Sequence, residues 1–306
     1  MSRRGGQGLM FHHLHNHPVG DTHTPGWRYF PPVQGSIFVA HLEQILSFYR
    51  AQIVTPEQWR RGAWEDPDAL VVTFDDGLAS QRLLTIPGRI LPPAAEWEPG
   101  DAPRFAPSLL DRLGIKAFFF VYTAPLRGQP VWLEIDRWVR THPAWAKGEV
   151  DREFTVGPES FYAAFHAEAT ARNLPLVSAP NGYLAAHPYL SPGDRDFRYW
   201  RDVHLSGSEY RMVMDALRER IAPSVQLAEF LTRLWLQPQD LQQIVAAGHT
   251  VGLHSSTHPT NMGALSRARV TQEYQDNYAA LVNLGLPAPW AMSHPSGSWS
   301  EPPLQV

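Results

Sequence analysis

The stretch VVTFDDGLAS, Val71 to Ser80, decides how this chain folds. Its first four residues are apolar or β-branched, which is typical of a strand covered on both faces. Two adjacent carboxylates, Asp75 and Asp76, end the strand, and Gly77 follows at once. Because burying an ionised carboxylate without a partner is costly, the pattern predicts that another group meets this pair.

The composition limits the kinds of protein that the chain can be. It has 306 residues, 43% of them hydrophobic, and a formal net charge of −4, which favours a folded protein and no nucleic-acid partner. Cysteine is absent, so a metal ion would have to be held by His, Asp or Glu. The sequence shows neither a secretory signal nor an apolar run long enough to span a membrane, and we therefore expect a cytoplasmic location.

Apolar runs alternate with helical patterns along much of the chain. Strands are predicted at residues 8–13, 69–74, 115–123 and 249–254, and helices at 36–50, 108–114, 237–248 and 266–285. Residues 289–297 are predicted to be a strand that runs into a loop. This alternation predicts an α/β fold with a parallel sheet. Residues 132–236 carry helical patterns without a strong strand, and we interpret them as a mostly helical insertion.

Two histidines are the best candidates to meet the tandem acids. His254 and His258, in VGLHSSTHPT, follow a predicted strand and stand four residues apart, so a helical or turn-like geometry would direct both rings to one ion. Both motifs follow strands, and the carboxyl ends of parallel strands share one edge of a sheet. One carboxylate and two imidazoles leave open positions on a cation, and the second carboxylate is free to take a proton from water. The ordinary alternative is a strand-end turn with solvated acids and surface histidines.

These motifs resemble those of a known family, the polysaccharide deacetylases (carbohydrate esterase family 4). TFDDG, Thr73 to Gly77, and HSSTHP, His254 to Pro259, resemble its first two motifs in the same order, and AMSHPSGSW, Ala291 to Trp299, stands where the third is expected. The resemblance implies a distorted (β/α) barrel built from residues 8–131 and 237–306, with the helical insertion between them. It also implies a metal-dependent hydrolase that removes N- or O-acetyl groups from a carbohydrate substrate, using a divalent metal ion that is usually Zn²⁺.

The resemblance assigns roles to individual residues. Asp75 matches the base that activates a metal-bound water, and Asp76, His254 and His258 match the metal ligands. In the third motif, Ser293 and Ser296 stand where the family has an arginine and an aromatic residue. The candidate substrate or oxyanion contacts in this loop are His294, Pro295, Ser296 and Gly297.

Five histidines cluster near the start of the chain. His12 and His13 end the first predicted strand, which makes them candidate pocket residues. The alternative is that they belong to a polar loop without a role in the site.

The family's later motifs supply a histidine that acts as general acid, whereas only EPPLQV follows Ser300 here. We therefore expect a barrel that is incomplete at its C-terminal end. Three alternatives stay open: a histidine of the N-terminal cluster supplies the acid, the protein is a truncated carbohydrate-binding remnant with impaired catalysis, or it is an amidohydrolase that acts on another C–N amide bond.

Overall fold

The computed structural model of the protein describes residues 5–15, 37–85, 108–142, 145, 159–185, 190–223, 225–259 and 262–295. Within these ranges the strands are β1 (Gln7–Phe11), β2 (Leu14–His15), β3 (Ile37–Phe38), β4 (Leu70–Phe74), β5 (Phe118–Val121) and β6 (Thr250–Leu253). The α-helices there are α1 (Val39–Phe48), α2 (Pro56–Arg60), α3 (Arg82–Thr85), α4 (Leu109–Arg112), α5 (Trp132–Arg140), α6 (Glu159–Ala171), α7 (Pro192–Tyr199), α8 (Gly207–Ile221), α9 (Leu227–Leu234), α10 (Pro238–Ala246) and α11 (Arg267–Asn283).

The main sheet is parallel and has the strand order β1-β4-β5-β6. Thr73 of β4 pairs with Phe118 of β5, which in turn pairs with Thr250 of β6. The carboxyl ends of these strands therefore lie at the same edge of the sheet. The predicted α/β fold with a parallel sheet is confirmed.

Both faces of the sheet are covered by apolar side chains. On one face Phe118 and Phe120 stack with their ring centroids 5.3 Å apart, and Trp59 packs against them. On the other face Phe74 and Phe119 stack at 5.1 Å. Burial on both faces explains why β4 and β5 are apolar runs and not alternating patterns.

The predicted barrel is not confirmed, since the sheet has four strands in the described part of the chain and does not close. Residues 289–297, predicted to be a strand that runs into a loop, contribute one bridge among their described residues, between Leu253 and Met292. Pro295 follows this short pairing and has no backbone N–H group with which to extend it.

Two other element boundaries differ from the predicted ones. The first strand ends at Phe11, before His12 and His13. The helix predicted from residue 36 begins at Val39, because the N–H group of Ile37 donates to the carbonyl oxygen of His13 and joins β3 to β2.

Contacts between residues divide the chain into two units. The described residues of the first unit lie within 5–15, 37–131 and 227–295 and contain the sheet. Those of the second unit lie within 132–226, where Phe161, Phe165 and Phe197 pack around one another. The predicted limits of the insertion, residues 132 and 236, stay a prediction. None of the described helices combines the length and the apolarity that crossing a bilayer requires.

Candidate metal centre

The tandem acids lie in a tight turn at the carboxyl end of β4. The N–H group of Asp75 still donates to the carbonyl oxygen of Phe11 in β1, at 2.9 Å. The chain then turns through left-handed conformations, with φ of +75° at Asp76 and +62° at Gly77. A Cβ atom at Gly77 would lie 2.8 Å from Cγ1 of Val121, so this turn requires glycine. It buries both carboxylates, with relative exposures of 2% for Asp75 and 3% for Asp76.

The two histidines lie in the loop that follows β6. This loop is not helical, since Ser255 and His258 have φ of +64° and +54°. The hydroxyl of Ser255 accepts a hydrogen bond from the N–H group of His258 at 3.1 Å. The loop thus turns back on itself and brings the second imidazole beside the first, with ring centroids 5.2 Å apart.

Helix α11 supports this loop with two buried polar side chains. The amide oxygen of Asn277 accepts from the N–H group of His254 at 2.9 Å. The carboxylate of Glu273 accepts from the N–H groups of Ser256 and Thr257 at 3.0 and 2.8 Å. Since backbone donors at a strand end have no ladder partner, these side chains satisfy them and fix the shape of the loop.

Asp76, His254 and His258 converge on one point. Oδ1 of Asp76 lies 3.2 Å from Nε2 of His254 and 3.0 Å from Nε2 of His258. One ligand atom from each residue lies within 4.8 Å of the others. The structure therefore brings together the three residues that the sequence proposed as ligands.

The hydrogen bonds around this cluster suit a cation. Nδ1 of His254 lies 2.9 Å from the carbonyl oxygen of Ser293, which can only accept, so Nδ1 carries the proton and Nε2 of a neutral ring presents a lone pair. Oδ1 of Asp76 is buried and faces the Nε2 atoms of both imidazoles. A carboxylate oxygen and neutral imidazole nitrogens are ligands that Zn²⁺ accepts, so the donor set fits a divalent metal.

The two carboxylates of the turn differ in their electrostatics. Burial works to raise the pKa of Asp76, but hydrogen bonds and charge interactions with His254 and His258 outweigh it and hold that pKa well below its ordinary value. Burial raises the pKa of Asp75, although the charges of His254 and His12 partly oppose this. Asp76 therefore stays ionised, whereas Asp75 is the carboxylate that takes up a proton more readily.

Asp75 lies beside the cluster without joining it. Its Oδ2 atom is 4.0 Å from Nε2 of His254 and accepts a hydrogen bond of 2.9 Å from the hydroxyl of Ser293. Its Oδ1 atom is buried and accepts no hydrogen bond from any described residue. The amide of Gln81 donates to its main-chain oxygen at 2.5 Å and anchors the turn.

The other candidate residues have different surroundings. The charge of His12 acts on Asp75, whereas His13 contributes its carbonyl oxygen to the pairing of β2 and β3. His294 faces Tyr274, whose hydroxyl lies 2.7 Å from Nδ1, and burial together with the charge of His254 lowers the pKa of this histidine. Pro295 is buried and has no N–H group, so it cannot itself be an oxyanion donor. Ser296 and Gly297 lie outside the described residues.

Several residues at the site were not singled out from the sequence as site residues. The ring of Tyr122 lies 5.0 Å from that of His258, and the hydroxyl of Tyr122 accepts a hydrogen bond from Nε1 of Trp235. Arg127 donates to the hydroxyl of Ser256. A sequence pattern that could have pointed to the residues supporting the histidine loop was in α11. There two polar residues, Glu273 and Asn277, stand four positions apart among the buried positions of the helix.

Part of the chain matches the model of a known protein family. Residues 208–306 match the family model described as "Polysaccharide deacetylase", and the predicted resemblance to this family is confirmed. No curated protein matches the chain at a significant level.

Three similar solved structures are all distant. The Streptococcus pyogenes deacetylase PplD, in complex with acetate, is 12% identical over 97% of this chain and 76% of its own, with a TM-score of 0.45. A de-N-acetylase from Aggregatibacter actinomycetemcomitans is 13% identical over 97% and 81%, with a TM-score of 0.44. IcaB from Ammonifex degensii is 14% identical over 97% and 77%, with a TM-score of 0.42.

Proposed function

We propose, from the match of residues 208–306 to the polysaccharide deacetylases, that this protein is a metal-dependent hydrolase that removes N- or O-acetyl groups from a carbohydrate. The observation that carries the proposal is the convergence of Asp76, His254 and His258 beside a fourth buried group, Asp75, that does not join them. A ligand set next to a separate base is the arrangement that hydrolysis of an acyl group needs.

The three converging side chains would hold a divalent cation, with Zn²⁺ as the first expectation for a carboxylate and two imidazoles. A cation bound there would supply Lewis acidity, lowering the pKa of water and polarising an acyl oxygen. The carbonyl oxygen of Ser293 fixes the tautomer of His254 that such binding requires. Asn277 holds the backbone of the same histidine from α11.

Asp75 would act as the base. Its Oδ2 atom is held by Ser293, which leaves Oδ1 to accept the proton of an attacking water molecule. Its raised pKa brings proton uptake closer to neutral pH and suits a general base. Hydrolysis adds one water across the acyl C–N or C–O bond. The hydroxyl part joins the acyl carbon, and the proton accepted by Asp75 ends on the leaving nitrogen or oxygen when that bond breaks.

A second candidate function is a carbohydrate-binding protein that retains the metal but does not turn its ligand over. The observation that favours it is the partner of Asp75, which is the neutral hydroxyl of Ser293 where the family has an arginine. A serine hydroxyl is neutral, so it does not balance the negative charge of the Asp75 carboxylate as an arginine guanidinium would.

Acetate release separates the two candidates. The Zn²⁺-loaded protein is incubated with N-acetylated and O-acetylated sugar oligomers and with a simple cyclic amide, and the products are quantified. We expect acetate from the sugars, and loss of the base in Asp75→Asn to lower the rate by roughly 10²–10⁴-fold. The control Asp276→Asn changes a carboxylate that pairs with Gln272 on α11 and should keep the wild-type rate.

The other possible outcomes favour a different function or refute the assigned base. Binding of oligomers without release of acetate would favour the carbohydrate-binding protein, and turnover of the cyclic amide alone would favour an amidohydrolase. A wild-type rate in Asp75→Asn would refute the assignment of the base.

A further inference from the structure

Backbone hydrogen bonds hold Ser293 next to the three converging residues Asp76, His254 and His258. Its N–H group donates to the carbonyl oxygen of Leu253, and the N–H group of Leu253 donates to that of Ala291, both at 2.9 Å. Leu253 immediately precedes His254, so the backbone at Ser293 is in register with the first histidine. The neighbouring contact between His294 and Tyr274 anchors the same segment to α11.

Two different groups of Ser293 contact two different parts of the site. Its hydroxyl donates to Oδ2 of Asp75 at 2.9 Å. Its carbonyl oxygen accepts the Nδ1 proton of His254, also at 2.9 Å. A single residue therefore connects the tandem-acid turn after β4 with the histidine loop after β6.

We propose that Ser293 is a positioning residue that holds the base Asp75 and the imidazole of His254 in one fixed relative geometry. This inference rests on the proposed hydrolase function. The hydroxyl fixes the plane of the Asp75 carboxylate, which directs Oδ1 and not Oδ2 to the attacking water. The carbonyl oxygen fixes the orientation and tautomer of His254 through an interaction that does not depend on the side chain of Ser293.

This division between side chain and main chain predicts separate effects. Ser293→Ala removes the hydroxyl and keeps the carbonyl oxygen, so it should disturb the base and spare the metal. Ser293→Thr keeps a hydroxyl, and its branched side chain suits the extended backbone that pairs with Leu253. Ser47→Ala, which changes an exposed serine of α1, is the matched control.

The first test measures kcat, KM and bound Zn²⁺ for these variants on an acetylated oligomer. Ser293→Ala should lose about tenfold or more in kcat, the size expected for one hydrogen bond to a charged group, with KM and a 1:1 Zn²⁺ content nearly unchanged. Ser293→Thr should recover to within about threefold of the wild type, and Ser47→Ala should match it. Wild-type kcat in Ser293→Ala, or an effect on KM alone, would overturn the inference.

A second test does not depend on activity. Urea midpoints of the metal-free protein are measured for Asp75→Ala, Ser293→Ala and the double variant. If the hydroxyl holds Asp75, the two shifts should not add, whereas additive shifts would refute the contact. Non-additive shifts in a protein that releases no acetate would reject the proposed function but retain the pairing of Ser293 with Asp75. An active wild type with additive shifts would reject the inference alone.

Discussion

Asp75 and Asp76 are chemically identical neighbours whose pKa values are displaced in opposite directions. Burial raises the pKa of Asp75, whereas the two imidazoles overcome burial and lower that of Asp76. When their surroundings give two adjacent carboxylates different pKa values, the two carboxylates can take different roles in the site. The ionised Asp76 suits a ligand and Asp75 suits a base.

Protons should compete with the metal at His254. Burial lowers the pKa of this imidazole, but Asp76 and Asp75 outweigh burial and raise it above its ordinary value. We therefore expect the affinity for Zn²⁺ to fall as the pH is lowered from about 8 to about 6, by up to about tenfold per pH unit for one displaced proton. Calorimetric titration in buffers of different ionisation enthalpy measures both the affinity and the protons released.

A matched histidine outside the cluster provides the control for this titration. His204 lies in the second unit, where its Nε2 atom contacts the carbonyl oxygen of Pro175. His204→Gln should bind Zn²⁺ as the wild type does, whereas His258→Gln should bind it more weakly. Affinity independent of pH, or equal effects of the two variants, would contradict the ligand assignment.

His249, at the other end of β6, should make the fold sensitive to acid. Burial lowers its pKa to about 4, so the native state keeps the ring neutral while the unfolded state takes up a proton near the ordinary pKa of 6.5. The unfolded state thus binds more protons between these values, and stability should fall as the pH drops through them.

Urea unfolding at about pH 7.5 and about pH 5 tests this expectation. The wild type should lose roughly 2 kcal/mol more stability on acidification than His249→Asn, which replaces the titrating ring by an amide. The amide oxygen is expected to replace Nδ1 as acceptor for the N–H group of Ala117. Equal losses in the two proteins would show that His249 titrates normally.

At the scale of the elements, the hydrogen bond between Ser293 and Asp75 shows that the sheet curves. From β4 to the segment that contains Met292 there are three strand spacings, or about 14 Å if the sheet were flat. Two short side chains cannot cover that distance, yet their oxygens lie 2.9 Å apart. The carboxyl ends of the strands therefore curl around the site, although the sheet does not close within the described residues.

Asn277 of α11 links the helix to the loop that carries His254 and to the end of β5. Its Oδ1 atom accepts from the N–H group of His254, and its Nδ2 atom donates to the carbonyl oxygen of Val121 and the hydroxyl of Thr123. Asn277→Leu would leave these buried groups without their partner and should cost about 2–4 kcal/mol in the free energy of unfolding, measured with urea. The affinity for Zn²⁺ should fall as well, because the histidine loop loses its anchor.

The adjacent Asp276 separates this effect from a general effect on the helix. It pairs with Gln272 along the exposed side of α11, and Asp276→Ala should change stability by less than about 0.5 kcal/mol. If Asn277→Leu were as mild as Asp276→Ala, the described hydrogen bonds would not support the loop.

The sequence predicted the positions of the acids and histidines well, for a physical reason. Asp75 and His254 each follow an apolar strand, and parallel strands place their carboxyl ends together whatever the details of the loops. Of the helical and turn-like geometries expected for His254 and His258, the structure has the turn-like one, with left-handed conformations at Ser255 and His258. The contact between Ser293 and Asp75 depends on the curvature of the sheet, which local patterns do not carry.

At the scale of the whole molecule, the alternation of apolar runs with helical patterns was sufficient to predict the α/β class. It did not predict closure, since that depends on strand number and tilt together. Among the described residues of the second unit, buried aromatic side chains such as those of Phe161 and Phe197 pack against one another and form a core for its helices.

The central claim is that Asp76, His254 and His258 bind one divalent cation and that Asp75 does not coordinate it. Crystals of the full chain equilibrated with Zn²⁺, with anomalous diffraction recorded at the zinc edge, test it most directly. We predict one anomalous peak about 2.0–2.2 Å from an oxygen of Asp76 and from Nε2 of each histidine, with Asp75 not coordinated. Zinc bound elsewhere, or these side chains without anomalous density at saturating Zn²⁺, would contradict the claim.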